Sequence, residues 1–271
     1  VTVLARSSSK LDLPSSVEVI TVDFNSVKSL IAGLRGQDAV VSAVGAPGIE
    51  GQTLVIDAAI AAGVRRFLPS EFGTNLDNPK TKELPVFRSK VAVQQYLEEK
   101  VKTAEDFTYT LVRTGPFLDW ALNAGLLLDW ESGKPRIYDG GDQLFSTTTL
   151  RSIGQAVVGV LEHPEETKNR AVYVQDMVTS QNRILAVAKK VAPGKKWAPV
   201  PTQLAAMEKS SNDALKRGEF TLAVMMEYVL VSIFGDGHGG LMGKGDNELL
   251  GVAGDKTDAD IEAILKPLLT T

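Results

Sequence analysis

The residue best suited to chemistry is a lysine where an apolar side chain belongs. Val86, Lys90, Val93 and Leu97 recur at helical spacing and share one stripe of a helix expected over 86–100. Three of the four are apolar, so the stripe faces a sheet or a neighbouring layer, and Lys90 interrupts it. Two readings stand side by side. The lysine snorkels outward with its stem packed, or it points into a cleft, where a desolvated ammonium suits acid–base work or holds a substrate oxygen. A tyrosine one turn earlier would complete a Tyr-x-x-x-Lys proton relay, but that position is Val86. Tyr96 lies on another face and Tyr109 in the next strand, so an ordinary carbonyl–alcohol dehydrogenase is disfavoured.

A second group with chemical potential is the run Arg6-Ser7-Ser8-Ser9-Lys10, which follows the apolar stretch 1–5. Where such a run ends the second strand of a dinucleotide fold, an acidic residue accepts from the ribose 2′-hydroxyl of NAD, and a cation favours the 2′-phosphate of NADP. Arg6 forks onto a phosphate, Ser7 and Ser8 add hydroxyls and Lys10 adds charge, so NADP is the expected cofactor. The bland alternative is a polar turn with two solvated cations. Asp23 either edges the adenine or starts a helix. Ser42-Ala43-Val44-Gly45 ends another strand, and its small residues admit a ribose and nicotinamide or simply make a turn. Gly235-Asp-Gly-His-Gly-Gly240 fits G-x-G-x-x-G, but the motif needs a strand before it and a helix after it; here it reads as a flexible loop.

The elements that must position these residues follow from periodicity. Short β-branched runs at 1–5, 18–22, 39–44, 66–69 and 108–113 alternate with amphipathic stretches at 26–34, 51–62 and 86–100. That alternation implies crossover units and a parallel α/β sheet, covered on both faces. After Gly115-Pro116 the rhythm changes to helices, expected at 117–130, 150–163, 180–191, 202–217 and 219–234, with short strands near 136–138 and 171–174. The domains expected are 1–116, binding dinucleotide, and 117–271, a smaller, mainly helical lobe for substrate over the strand ends. Residue 1 already lies in a strand, and no glycine-rich turn precedes Arg6. The expectation is therefore a cofactor fold entered at its second strand, about thirty residues short of a full strand–helix start. Such a chain should bind NADPH poorly by itself and expose an open sheet position.

Bulk properties close off other classes. The chain has 271 residues, no cysteine, two histidines and a net charge of -4, so disulfides, thiol catalysis and a histidine-rich metal site are excluded. The charge gives no general attraction to nucleic acid or to an anionic membrane, and no apolar run approaches the roughly 20 residues that span a bilayer. A cytoplasmic protein, monomeric or homodimeric, without nucleic-acid or membrane partners, is the default.

The segment Arg65-Arg66-Phe67-Leu68-Pro69-Ser70-Glu71-Phe72-Gly73 resembles the signature of the isoflavone-reductase-like branch of the NmrA-like family, atypical short-chain dehydrogenase/reductases. Val22-Asp23-Phe24-Asn25, Asp38–Gly45, Gln52 and Ala58–Gly63 follow that family in order. Val86-Phe87-Arg88-Ser89-Lys90 is similar to its catalytic-helix motif, with an apolar residue where the tyrosine would be. The resemblance covers nearly all of 1–116 and loosens afterwards. It implies a Rossmann-type sheet, here without its first strand. Arg6 and Lys10, with Ser7, would hold the 2′-phosphate, and Ala43, Val44 and Gly45 would line the ribose and nicotinamide. Ser70, Glu71 and Phe72 would form the junction of cofactor and substrate, with Lys90 as the catalytic lysine. The implied activity is NADPH-dependent reduction of a small aromatic, phenylpropanoid- or isoflavonoid-like substrate at an enone or benzylic carbon. The same family implies an alternative, a dinucleotide-sensing regulator without catalysis. Phe117, Trp120, Leu122 and Trp130 read as core or as an aromatic pocket, with core preferred.

Overall fold

A computed structural model describes residues 1–7 and 12–270. In chain order the first elements are β1 (Thr2–Ala5), β2 (Glu18–Thr21), α1 (Val27–Leu34), β3 (Ala39–Val41), α2 (Gln52–Ala61), β4 (Arg66–Leu68), α3 (Pro79–Lys82), α4 (Arg88–Lys100) and β5 (Thr108–Arg113). Then come α5 (Leu118–Asn123), β6 (Arg136–Tyr138), β7 (Phe145–Thr147), α6 (Leu150–Glu162), α7 (Pro164–Thr167), β8 (Arg170–Tyr173) and β9 (Met177–Thr179). The chain ends with α8 (Gln181–Val191), β10 (Val200–Thr202), α9 (Leu204–Lys216), α10 (Leu222–Phe234) and α11 (Asp258–Leu269). Two compact units result. One contains Val1–Glu71, Ser89–Leu111 and Pro164–Arg170; the other, the larger, contains Phe72–Arg88, Val112–His163 and Ala171–Thr271.

The first unit is α/β. β1 pairs with β2 in parallel, Thr2 opposite Glu18, while β3, β4 and β5 neighbour one another in that order. β3–β4 and β4–β5 are parallel, with Arg66 opposite both Ala39 and Thr108. The parallel pairs and their helical connections are the Rossmann-type α/β arrangement expected from the alternation. The interior strand β4 is wholly buried, whereas β1 and β3 are only partly covered and Val41 remains 41% exposed. Leu30, Ile56, Phe67, Leu68, Val93 and Leu97 form the core. Ser26 caps α1 by accepting from the Ser29 amide at 3.3 Å. Helix α1 then packs so closely that a Cβ on Gly33 would come within 2.9 Å of Val22 and 3.1 Å of Leu4.

Arg66 is the unexpected member of that core. It is 7% exposed, with Nε on Thr108 Oγ1 at 2.8 Å and one terminal nitrogen on Thr110 and Thr167 hydroxyls at 2.9 Å. The other terminal nitrogen donates to the Pro164 carbonyl at 2.5 Å. Burial pulls this guanidinium below its ordinary pKa, opposed by nearby Glu165. Its hydrogen bonds fasten 164–170 to the strands, a structural task.

The second unit is mainly helical, with β7–β9 antiparallel and β6–β10 parallel. Its core carries Phe234, stacked on Tyr138 at 5.1 Å and meeting Phe145 edge-on at 5.2 Å. The helix expected over 117–130 is shorter. α5 stops at Asn123, Gly125 turns with φ 70°, and Leu126 N–H returns to the Ala121 carbonyl at 2.9 Å. Leu127 and Leu128 are buried all the same, so a packed turn carries the apolar run that suggested more helix. The unexpected α11 begins with a capping box between Thr257 and Asp260. No described helix is long and apolar enough to cross a membrane.

Candidate active site

The parallel strands of the first unit are followed by the segments that sequence reasoning singled out. β1 leads to Arg6 and Ser7, β3 to Ser42–Gly45, and β4 to Pro69–Glu71. Ligands of open parallel sheets bind at such carboxyl ends.

The Ser70–Glu71 turn is held from three sides. From α2, Gln52 Oε1 accepts the Ser70 amide at 2.8 Å, while its Nε2 donates to the Ile49 carbonyl at 3.2 Å. Ser70 Oγ donates to the Val44 carbonyl at 2.7 Å, which ties the ends of β3 and β4 together. From α4, Gln94 Nε2 donates to Glu71 Oε1 at 3.1 Å, and the Lys90 ammonium donates to the Glu71 main-chain carbonyl. Gln52, Gln94 and Glu71 are 1%, 6% and 2% exposed, so each of these polar groups needs its partner.

Lys90 therefore lies on the inward stripe, with Val93 and Leu97 buried below it, and its head is engaged at the end of β4. Lys90 and Gln94 are one turn apart on α4 and reach the backbone and the side chain of the same residue. Tyr96 belongs elsewhere: its hydroxyl is 2.8 Å from both Asp57 carboxylate oxygens, with Lys100 bridging to Asp57 at 2.6 Å. Burial and the Asp57 contact push the Tyr96 phenol above its ordinary pKa. Tyr109 is buried in β5.

Around that fixed turn the remaining positions are open. Arg6, Ser7, Ala43 and Gly45 are exposed and Val44 is half-buried. Among the described residues Arg6 has no ion pair or hydrogen-bond partner. Gly45 has an ordinary φ of -74°, and a Cβ there would meet only Pro47 at 3.9 Å. The chain itself thus does not require glycine at 45. Lys10 lies outside the described residues. Phe72 belongs to the second unit and has φ 31°, a left-handed value that non-glycine residues rarely adopt. Asp23 accepts from the Asn25 amide at 2.9 Å in a turn ahead of α1, whose cap is Ser26, so it does not itself start the helix.

Gln52 was visible only as part of a motif, and Gln94 carried no sequence signal, because glutamine on a helix is ordinarily solvated. Among the aromatic positions, Leu122 is fully buried core, Trp120 is 51% exposed and Trp130 donates its indole N–H to the Leu122 carbonyl at 2.9 Å. The Gly235–Gly240 loop follows α10 and has no helix directly after it. Its carbonyls at 236, 237 and 238 accept from Lys80, Asn78 and Thr81.

The chain is similar to known proteins along most of its length. The model of the NmrA-like family matches residues 6–209. The oxidoreductase poxI of Penicillium oxalicum is 31% identical across 98% of this chain and 86% of its own length. Isoflavone reductase of Medicago sativa is 28% identical across 62% of this chain and 54% of its own. Among solved structures, the binary complex of leucoanthocyanidin reductase with NADPH from Vitis vinifera superposes with a TM-score of 0.72 at 19% identity, covering 94% of this chain and 87% of that one. At that identity the superposition speaks to the fold. With three quarters of its residues inside the family model, and with the strand-end signature folded as described, the chain belongs to the NmrA-like family, among its isoflavone-reductase-like members.

Proposed function

We propose that the protein is an NADPH-dependent reductase of a small aromatic substrate, with Lys90 as the residue that manages the substrate oxygen. The observation that carries this reading is the Lys90 ammonium, turned inward from α4 and engaged at the end of β4 on the Glu71 carbonyl. The relatives support it: one carries the name oxidoreductase, another isoflavone reductase, and a structural neighbour was solved with NADPH.

The residues present suit that cofactor. The exposed guanidinium of Arg6 and hydroxyl of Ser7 are where a 2′-phosphate would be held, and Lys10 would add charge. Open space beyond Gly45, beside Ala43 and Val44, admits a ribose and nicotinamide. NADPH supplies the hydride when bound. On an enone, Lys90 would stabilise or protonate the carbonyl oxygen that gains charge once the β-carbon had received a hydride. On a benzylic ether, Lys90 would take the same role toward the phenolate oxygen released when hydride replaced the C–O bond at the benzylic carbon. Ser70, Glu71, Gln52 and Gln94 keep the turn beside Lys90 in one conformation, which limits reorganisation during the step.

The test is NADPH oxidation over a panel of aromatic enones and benzylic ethers, with Lys90→Ala alongside. Turnover by the parent and its loss in the variant, at retained cofactor affinity, is expected. A variant that turns over every accepted substrate at the parent rate removes Lys90 from the mechanism. Tight dinucleotide binding without turnover on the whole panel favours a sensor instead.

A further inference from the structure

The second unit contains a cavity of about 290 Å³ that the reductase reading does not use. Its wall includes Trp130, Arg136 and Tyr138, Gln181 at the start of α8, and Met226 and Leu230 from α10. We propose that this cavity binds a neutral, one-ring aromatic compound whose carbonyl or ether oxygen accepts a hydrogen bond from the Tyr138 hydroxyl.

Tyr138 is 3% exposed, and its hydroxyl has no hydrogen-bond partner among the described residues. The hydroxyl is not among the side-chain oxygens sealed from solvent, so at the cavity wall it is open to water, and an acceptor on a ligand takes that water's place. Burial also holds this phenol above its ordinary pKa, against a smaller opposing effect from Arg136, so it stays a donor.

The wall is built before any ligand arrives. The Tyr138 ring is stacked on Phe234 with planes 20° apart, and Phe234 is braced edge-on by Phe145. Gln181 spends its amide on the frame: Oε1 accepts the Tyr138 amide at 2.9 Å, and Nε2 donates to the Leu127 and Arg136 carbonyls at 3.3 and 3.2 Å. Trp130 is pinned through its indole N–H. A wall of that rigidity loses little freedom on binding.

Size and charge select the ligand. The volume lies just under the roughly 300–1,000 Å³ of sites for drug-sized ligands, which suits one ring with a short substituent. Met226 and Leu230 offer apolar contact, and the Arg136 guanidinium sits 5.6 Å from the Tyr138 ring centre. Asp129 and Glu131 also line the cavity, against the one guanidinium of Arg136. Asp129 accepts from the Ser132 hydroxyl at 2.6 Å and amide at 3.1 Å, which hold its carboxyl below the usual range and keep it ionised. An anionic ligand is therefore disfavoured.

Isothermal titration of the chain with 4′-hydroxyacetophenone and with 4-hydroxybenzoate tests this without cofactor or turnover, so it fails or succeeds independently of Lys90. Saturable binding of the ketone is expected, with the carboxylate weaker by about fivefold or more and a similar loss in Tyr138→Phe. Leu230→Trp should fill the cavity and abolish binding. Tyr138→Phe keeps the ring and its stacking, so it decides the matter even if the tryptophan variant does not fold. Absence of saturable ketone binding at millimolar concentration overturns the proposal. Equal affinity in Tyr138→Phe, or tighter binding of the carboxylate, overturns it too.

Discussion

Two loops of this protein invite opposite errors. Gly235–Gly240 has the spacing of a phosphate-binding turn, yet what it offers its neighbours is carbonyl oxygen, bound by Asn78, Lys80 and Thr81 around the short helix α3. Ser70–Glu71 has no glycine pattern, yet its amide, hydroxyl, carbonyl and carboxylate are all engaged by side chains or main chain at the end of β4. Anion cradles need converging N–H groups or cations. A loop whose carbonyls are its working groups is fastened in place. The turn beside Lys90 instead carries an inward cation at a strand end. The comparison teaches that spacing names a motif, while the direction of the polar groups decides its use.

The sharpest way to break this contrast is at Lys90. Lys90→Ala should lower kcat by about 10²–10⁴-fold, the usual worth of a positioned acid–base group, with NADPH affinity nearly unchanged. Single-turnover kinetics and cofactor titration check it, and a normal kcat would make the β4 turn as structural as the glycine loop.

Gly239→Ala is the reciprocal experiment. Gly239 has φ 72°, and a Cβ there would come within 2.9 Å of Asn78 Cβ. Backbone strain of about 1–3 kcal/mol should appear as lost stability in urea unfolding, with NADPH affinity unaltered. Weakened cofactor binding at unchanged stability would return the glycine loop to ligand duty.

Gln52→Ala should cost about 1–3 kcal/mol by leaving the buried Ser70 amide without its acceptor. If the turn serves Lys90, kcat falls as well, more than KM rises. Arg6→Ala separates binding from chemistry: affinity for NADPH should drop about ten- to a hundredfold, that for NADH much less, because a charge-assisted pair with the phosphate is worth about 1.5–3 kcal/mol. Equal loss for both would remove the phosphate assignment.

The smallest effect concerns pH. Burial, supported by Lys80 and opposed by Glu208 and Asp236, lowers the pKa of His238, whose Nδ1 has no partner among the described residues. The unfolded chain then binds the proton more readily, so stability falls as pH drops below the unfolded value of about 6.5 toward the folded one. His238→Gln should flatten that part of the stability profile. An unchanged slope would show that the loop does not bury the imidazole as described.

Much of the frame was legible in the residues. Apolar runs at 1–5, 39–44, 66–69 and 108–113 contain parallel strands, of which β4 and β5 are buried along nearly their whole length while β1 and β3 are partly covered, and the stripe through Lys90, Val93 and Leu97 does face inward. The second half was harder. Leu127 and Leu128 are buried in a turn, and β7 and β9 are three residues each, too short for periodicity to show. α11 begins at Thr257-Asp-Ala-Asp260, a capping pattern that lies beyond the helical stretches the periodicity marks out.

Sequence by itself determined the strand–helix alternation, the family signature at 65–73 and the presence of a lysine on an apolar stripe. These follow from local spacing, and local spacing survives any tertiary arrangement. Only the tertiary structure decided which way Lys90 resolves: its ammonium is drawn to the Glu71 carbonyl, across nineteen residues of sequence. It alone revealed that Gln52 and Gln94 hold that turn from two helices, since a glutamine's role depends on what burial leaves within reach. The same rule covers Tyr138, a strand residue whose hydroxyl finds no partner among the described residues and which lines a cavity.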